Sequence, residues 1–233
     1  MNKATERGRL FIVPTPIGNL EDITLRAIRI LKEVDLVLCE DTRRAAILFQ
    51  KYGVTTRRES FYDHNARQRT PAVLERLQTG KRIALISEAG TPGVSDPGFY
   101  LIRAAVGAEL DVEVLPGACA AIVALVASGL PCDRFAFEGF LPAKKGRRTR
   151  LQNLKDEPRT LIFYESPHRM QRTLRDLLET LGDRQASYGR ELTKLHEEVV
   201  RGTLSQLAQR LEERPAKGEF TLIVAGSEYG NRL

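Results

Sequence analysis

Apolar residues along this chain fall into short unbroken runs. Each run ends in glycine, proline or small polar residues, and most lead into a segment with helical spacing. Leu10-Phe11-Ile12-Val13, Val34 to Cys39, Arg82 to Ile86 and Val112 to Leu115 are the runs of the first half. A short run without polar alternation predicts a strand covered on both faces, as in a parallel sheet. Between the runs, Ile23 to Glu33 places Leu25, Ile28 and Leu31 on one helical stripe, with Asp22 as its predicted cap. Further helices are predicted from Thr42, as cap, to about Lys51, over Thr70 to Leu77, over Phe99 to Val106, and from Ala118 to about Ser128. Tyr52 to Thr70 is polar and carries no predicted element.

The longest turn, Ser87 to Gly98, holds Gly90, Gly93, Gly98 and two prolines, and has no bulky side chain with which to build a core. Such a loop lets a ligand approach backbone N–H and C=O groups. Asp96 is its predicted helix cap, with Pro97 at the first helical position. Pro14-Thr15-Pro16-Ile17-Gly18-Asn19 after the first strand and Pro116-Gly117-Ala118 after Leu115 are permissive turns of the same sort. Three such turns at the carboxyl ends of strands in a β–α alternation mark the place where open α/β sheets bind small molecules. The Gly-x-Gly-x-x-Gly spacing is missing, which argues against a conventional dinucleotide site.

After Gly129-Leu130-Pro131 the rhythm changes, and the predicted domains are 1–130 and 131–233. Strands are predicted at Phe135 to Phe137, Thr160 to Tyr164, Glu197 to Arg201 and Phe220 to Ala225. Helices are predicted from Ser166-Pro167 to Leu181 and over Ser205 to Glu213. Hairpin-like neighbours suggest a mixed sheet, and the cleft between the halves is the default ligand site.

The chain has 233 residues, 42% hydrophobic, with 36 Lys+Arg against 30 Asp+Glu and a formal net charge of +6. That is enough for one large domain or two modest ones, and it leans weakly toward a polyanionic partner. Cys39, Cys119 and Cys132 sit among apolar or small residues without pairing or metal-ligand spacing, so they read as reduced core residues of a cytoplasmic protein with no metal site. Met1 to Arg9 is too polar for a secretory signal, and Ala118 to Leu130 is too short to span a bilayer.

The candidate chemistry lies at the turns. Glu40 and Asp41 either face the same crevice as the Ser87 loop or simply favour a helix start. His64 is either a substrate contact or an ordinary loop residue. Lys144, Lys145, Arg147, Arg148 and Arg150 put five cations within seven residues, either as a solvated helix face or as contacts to phosphate.

Taken in order, Phe11 to Leu20, Cys39-Glu40-Asp41-Thr42-Arg43, Ser87 to Pro92, Asp96-Pro97-Gly98, Leu115-Pro116-Gly117, Phe135 to Lys144, Thr160 to Pro167 and Arg190-Glu191-Leu192-Thr193-Lys194 closely resemble the ribosomal small-subunit RNA methyltransferase I family. The resemblance covers nearly the whole chain. It implies the tetrapyrrole-methylase fold, an α/β architecture with a mostly parallel N-terminal sheet covered by helices on both faces and a mixed C-terminal α/β sheet. It implies 2′-O-methylation of a cytidine ribose in the decoding region of 16S rRNA, on free rRNA or the small subunit, with S-adenosyl-L-methionine, by a homodimer.

Carried over by position, the cofactor contacts would be Pro16, Gly18, Glu88, Gly90, Thr91, Val94, Ser95, Gly117, Ala118 and Cys119, then Tyr164, Glu165, Gly189, Arg190, Ile223, Val224 and Ala225. Glu88 and Lys194 are the candidate catalytic groups, with Asp96, Glu165 and Arg190 also near. The ribose hydroxyl is a weak acid, so a base or a cation should help it lose its proton. Many members of the family continue past the last strand into a small extra module. This sequence ends at Leu233, so RNA binding is expected to lean on the dimer surface and on Lys144 to Arg150.

Overall fold

The computed structural model describes residues 8–96, 98–215 and 217–231. Pro97 and most of the Met1 to Arg9 segment lie outside the described residues. The chain divides into two compact units, Met1–Cys119 and Ala120–Leu233.

The first unit is an all-parallel sheet in the order β3-β2-β4-β1-β5, built from β1 (Arg9–Ile12), β2 (Leu36–Cys39), β3 (Arg58–Ser60), β4 (Ile83–Leu85) and β5 (Asp111–Val114). Side chains alternate between the faces, so one short run serves two cores. Phe11, Val37 and Ala84 pack on one face with α1 (Leu25–Glu33) and α2 (Thr42–Tyr52). Leu10, Ile12, Leu38 and Leu85 pack on the other with α3 (Asp63–Gln78) and α4 (Gly98–Gly107). Neighbouring parallel strands β1 and β4 therefore send their chains to opposite faces, which opens a crevice at their carboxyl ends.

Local chemistry moved several boundaries. Leu20–Asp22 is a turn of 3₁₀ helix, and α1 starts later, capped by Thr24, whose side chain accepts from the Ala27 N–H at 3.0 Å. Asp41, not Thr42, caps α2 by accepting from the Arg43 N–H at 2.7 Å. The polar segment without a predicted element holds β3 and the first turns of α3. Asn65 Oδ1 fixes that helix start by accepting from the Tyr62 N–H at 2.8 Å.

The second unit carries α5 (Ala120–Ser128) and a mixed sheet in the order β6-β7-β10-β8-β9. Its strands are β6 (Phe135–Phe140), β7 (Thr160–Glu165), β8 (Gln185–Arg190), β9 (Glu198–Thr203) and β10 (Phe220–Val224). Only β6 and β7 pair in parallel; the other neighbours are antiparallel. One face is covered by α6 (Arg147–Asn153), α7 (Pro167–Leu181) and α8 (Leu204–Glu213), around Phe163, Leu174, Tyr188, Leu207 and Leu222. The other face carries α5, which packs on β7, β8, β9 and β10. The helix read as the end of the first domain thus belongs to the second unit. Its apolar face, Ala121, Ala124 and Leu125, is buried there, and Arg201 donates to the carbonyls of Ala127 and Ser128 at its last turn.

Candidate functional site

The three permissive corners of the first unit are tied to one another. Thr15 and Gly90 exchange both backbone hydrogen bonds, at 2.9 and 3.0 Å, which joins the turn after β1 to the loop after β4. Thr15 Oγ1 donates to the Ser87 carbonyl at 3.2 Å, and Ser87 Oγ donates to the Gly90 carbonyl at 2.9 Å. Gly90 sits at φ +83°, a conformation glycine takes without steric cost. Thr91 Oγ1 donates to the Ala118 carbonyl at 3.0 Å, bringing in the turn after β5. There Gly117 lies against Pro14 so closely that a Cβ would stand 2.4 Å from the proline Cβ. Pro16, Gly90, Thr91, Gly117 and Ala118 are therefore assembled at the β1/β4 crevice, with half-buried Cys119 adjoining and Gly18 exposed beside the first turn.

Farther along the loop, Asp96 Oδ1 accepts from the N–H groups of Gly93 at 2.6 Å and Gly98 at 2.9 Å, tying the loop to the start of α4. Between them Val94 is exposed, and Ser95 is held at φ +63°, where a side chain costs energy. The Glu88 carboxylate pairs with Arg44, and its N–H donates to Glu40 Oε1 at 3.3 Å. Burial pushes the Glu40 carboxyl up, against the bond from Glu88. Glu40 thus does face the Ser87 loop, while Asp41 serves as a helix cap. Thr15, Ser87 and Arg44 were not among the predicted contacts; a buried threonine between two prolines is the signal that marks Thr15.

In the second unit the residues carried over from the resemblance separate by strand parity. Tyr164 and Ile223 lie on the α5 face of the sheet, and Tyr164 Oη accepts from the Ala121 N–H at 3.2 Å. The Tyr164 ring also packs edge-on to Phe137, at 5.1 Å between centroids. Glu165 and Val224 point to the opposite face, because successive strand residues alternate. Val224 is core. Glu165 is 2% exposed; it accepts from Thr173 Oγ1 at 2.6 Å and pairs with Arg169 at 3.3 Å, so it builds the β7–α7 corner. A Cβ on Gly189 would meet Leu192 at 2.8 Å, so its missing side chain makes room for protein. Arg190 turns to the α8 side and pairs with Glu198 at 3.1 Å. Buried Ala225 donates its N–H to the Gln185 carbonyl at 2.8 Å.

Lys194 is held by Glu191 at 2.9 Å and Glu219 at 3.0 Å. Burial works against its charge, but those two bonds raise the ammonium above its ordinary value. It therefore stays protonated and can serve as a cation but not as a base.

The basic run also divides. Lys144, Lys145 and Arg148 are exposed, and Arg150 pairs with Glu138 at 2.6 Å. Arg147 is 4% exposed and spends its guanidinium on Asp176 at 2.6 Å, Thr173 at 2.9 Å and the Pro142 carbonyl at 3.3 Å. It is an internal strut and is unavailable to RNA. Among the described residues no group of three or more His, Cys, Asp or Glu is placed to hold a metal, and no helix is long and apolar enough to cross a membrane.

A parallel sheet with glycine-rich corners joined at a switch point, followed by a mixed sheet, is the arrangement of the tetrapyrrole (corrin/porphyrin) methylases, whose sequence pattern matches residues 9–208. One solved structure with this fold is a uroporphyrin-III C-methyltransferase from Thermus thermophilus complexed with S-adenosyl homocysteine. It has a TM-score of 0.65 at 20% identity, covering 94% of this chain and 98% of that one. Curated relatives are closer in sequence. The ribosomal RNA small subunit methyltransferase I of Thermotoga maritima is 46% identical, covering 95% of this chain and 100% of its own. That of Pasteurella multocida is 51% identical, covering 97% and 81%. The chain belongs to the ribosomal RNA small subunit methyltransferase I family.

Proposed function

We propose that the protein transfers the methyl group of S-adenosyl-L-methionine to the ribose 2′-hydroxyl of a cytidine in small-subunit ribosomal RNA. The observation that carries this reading is the tie among the three corners at the β1/β4 crevice. The names of the curated relatives support the RNA substrate, and the fold neighbour with S-adenosyl homocysteine supports the cofactor.

The residues present suit that cofactor. Its carboxylate, ammonium and ribose need polar backbone at close range, which Thr91, Gly117 and Ala118 offer without bulky side chains, while Gly90 spends its own N–H and carbonyl on Thr15 and Ser87 and so holds the corners together. Pro16, Gly18, Val94, Ser95 and Cys119 would complete the first unit's contacts, and Tyr164 the second's; Ile223, like Val224, is fully buried. When bound, S-adenosylmethionine supplies an electrophilic methyl on a sulfonium.

The chain's own share is mostly orientation: aligning the hydroxyl oxygen in line with the methyl–sulfur bond removes much of the entropic barrier. Glu88 is the group proposed to accept the hydroxyl proton, with Arg44 orienting its carboxylate. Lys144, Lys145 and Arg148 are proposed to hold phosphates of the RNA strand. A homodimer in the cytoplasm completes the proposal. The outward side chains of α5, Ile122, Val123 and Val126, are exposed apolar surface of the kind that self-association covers.

The test incubates the full chain with tritiated S-adenosylmethionine and either 16S rRNA, small subunits or a uroporphyrinogen. Label in RNA, lost in a folded Glu88→Ala variant, is the expected result. Label in the tetrapyrrole alone overturns the substrate, near-normal turnover by the variant removes Glu88, and no calorimetric binding of the cofactor overturns the reading as a whole.

A further inference from the structure

The second unit holds a cavity of about 310 Å3 where β8, β9 and the end of α8 meet. Tyr188, Arg190, Glu198, Arg210, Arg214 and Lys217 line it. Four cationic residues and one carboxylate thus line it. Glu198 divides its two oxygens between the guanidiniums, Oε2 to Arg190 at 3.1 Å and Oε1 to Arg210 at 2.7 Å. Arg190 is fixed a second time by donating Nη1 to the Lys217 carbonyl at 3.2 Å. Against the cost of burial, the bonds from Arg210 and Arg190 hold the Glu198 carboxyl below its usual range, so it stays charged at neutral pH.

A guanidinium has five N–H donors, and these two spend one or two each on protein, leaving donors in a fixed orientation. Arg214 and Lys217 have no ion-pair partner among the described residues and are exposed at the rim. Excess positive charge, donors oriented in advance by one shared acceptor, and a volume near the small end of ligand sites together suit a phosphate group.

We propose that this cavity is a phosphate subsite for the RNA strand. It rests on the reading of the protein as an RNA methyltransferase and adds to the phosphate contacts proposed for Lys144, Lys145 and Arg148. Arg214→Ala/Lys217→Ala removes the two unpaired rim cations and leaves the Glu198 bonds intact.

The experiment measures filter binding of 16S rRNA to the full chain across salt, for wild type, this variant, and a control, Lys32→Ala/Lys51→Ala, that removes two exposed cations elsewhere. Each single-strand phosphate contact contributes about 0.7 to the slope of log K against log salt. The rim variant should therefore flatten the slope by about 1.4 and weaken binding roughly 20-fold at 0.1 M salt. Its KM for 16S rRNA should rise while its calorimetric affinity for S-adenosylmethionine holds.

Equal losses in rim variant and control overturn the subsite, as does an unchanged slope. Calorimetric binding of inorganic phosphate that the rim variant loses, with RNA binding unchanged, assigns the cavity to a free anion and also overturns it. If wild type transfers no methyl to rRNA yet the rim variant alone loses RNA binding, the subsite stands and the activity reading falls.

Discussion

Gly117→Ala tests the joined corners with a single methyl group. The added Cβ would lie 2.4 Å from Pro14 Cβ and 2.9 Å from Pro14 Cγ, where ordinary contacts begin at about 3.4 Å. The turns after β1 and β5 must then part by about 1 Å, and neither is free to yield. Pro14 is followed by Thr15, which is bonded to both Gly90 and Ser87, and Ala118 is bonded to Thr91. Overpacking of this kind costs about 1–3 kcal/mol, which lowers Tm by about 2–4 °C for each kcal/mol in a chain of this size. The effect on function should be larger than the effect on stability, because a displacement of about 1 Å at a reacting centre can cost about 100-fold. The assay pairs thermal unfolding with calorimetry of S-adenosylmethionine and kcat/KM on rRNA. Gly107→Ala is the control: a Cβ there meets nothing within 4 Å, so it should be neutral or slightly stabilising. Wild-type cofactor affinity in folded Gly117→Ala would refute the claim that these corners form the cofactor site.

Glu165→Ala should cost about 3 kcal/mol by stranding Thr173 and Arg169, with Glu165→Gln recovering much of the Tm; a stable alanine variant that loses only activity would return Glu165 to the cofactor site. The side-chain bond from Arg159 is the main cause holding the Glu157 carboxyl down at about 2, against an ordinary 4.5. The stability it contributes is full above about pH 4.5 and is lost as pH falls toward 2, so Glu157→Gln should flatten the acid limb of urea midpoints in that window. Burial pushes the Cys39 thiol up to about 11, so iodoacetamide at pH 8 should label exposed Cys132 and spare Cys39. S-adenosylmethionine should slow labelling of Cys119 alone, and equal protection of Cys119 and Cys132 would argue against contact at the third corner.

The strands and the permissive turns were legible because a buried parallel strand is an unbroken apolar run and its exit loop is punctuated by glycine and proline. β3 and the start of α3 were not, because a three-residue half-buried strand and a helix rich in charge leave no apolar period to read. The division between units was read at Gly129, where the composition breaks, yet α5 lies before that break and packs on the second sheet; packing partners are not written in local composition. Site residues failed where a contiguous stretch was carried over whole. Glu165 beside Tyr164, and Val224 beside Ile223, must face opposite ways on a strand. Arg147 looked like its exposed neighbours because nothing in a run of cations says which one meets Asp176 and Thr173.

The most direct measurement is alkaline hydrolysis of 16S rRNA after incubation with the full chain and S-adenosylmethionine. A 2′-O-methyl group removes the nucleophile that cuts its own phosphodiester. One new alkali-resistant linkage, 3′ to a cytidine and absent without cofactor, is the expected result. Methyl incorporation with every linkage still labile would place the group on a base and contradict it.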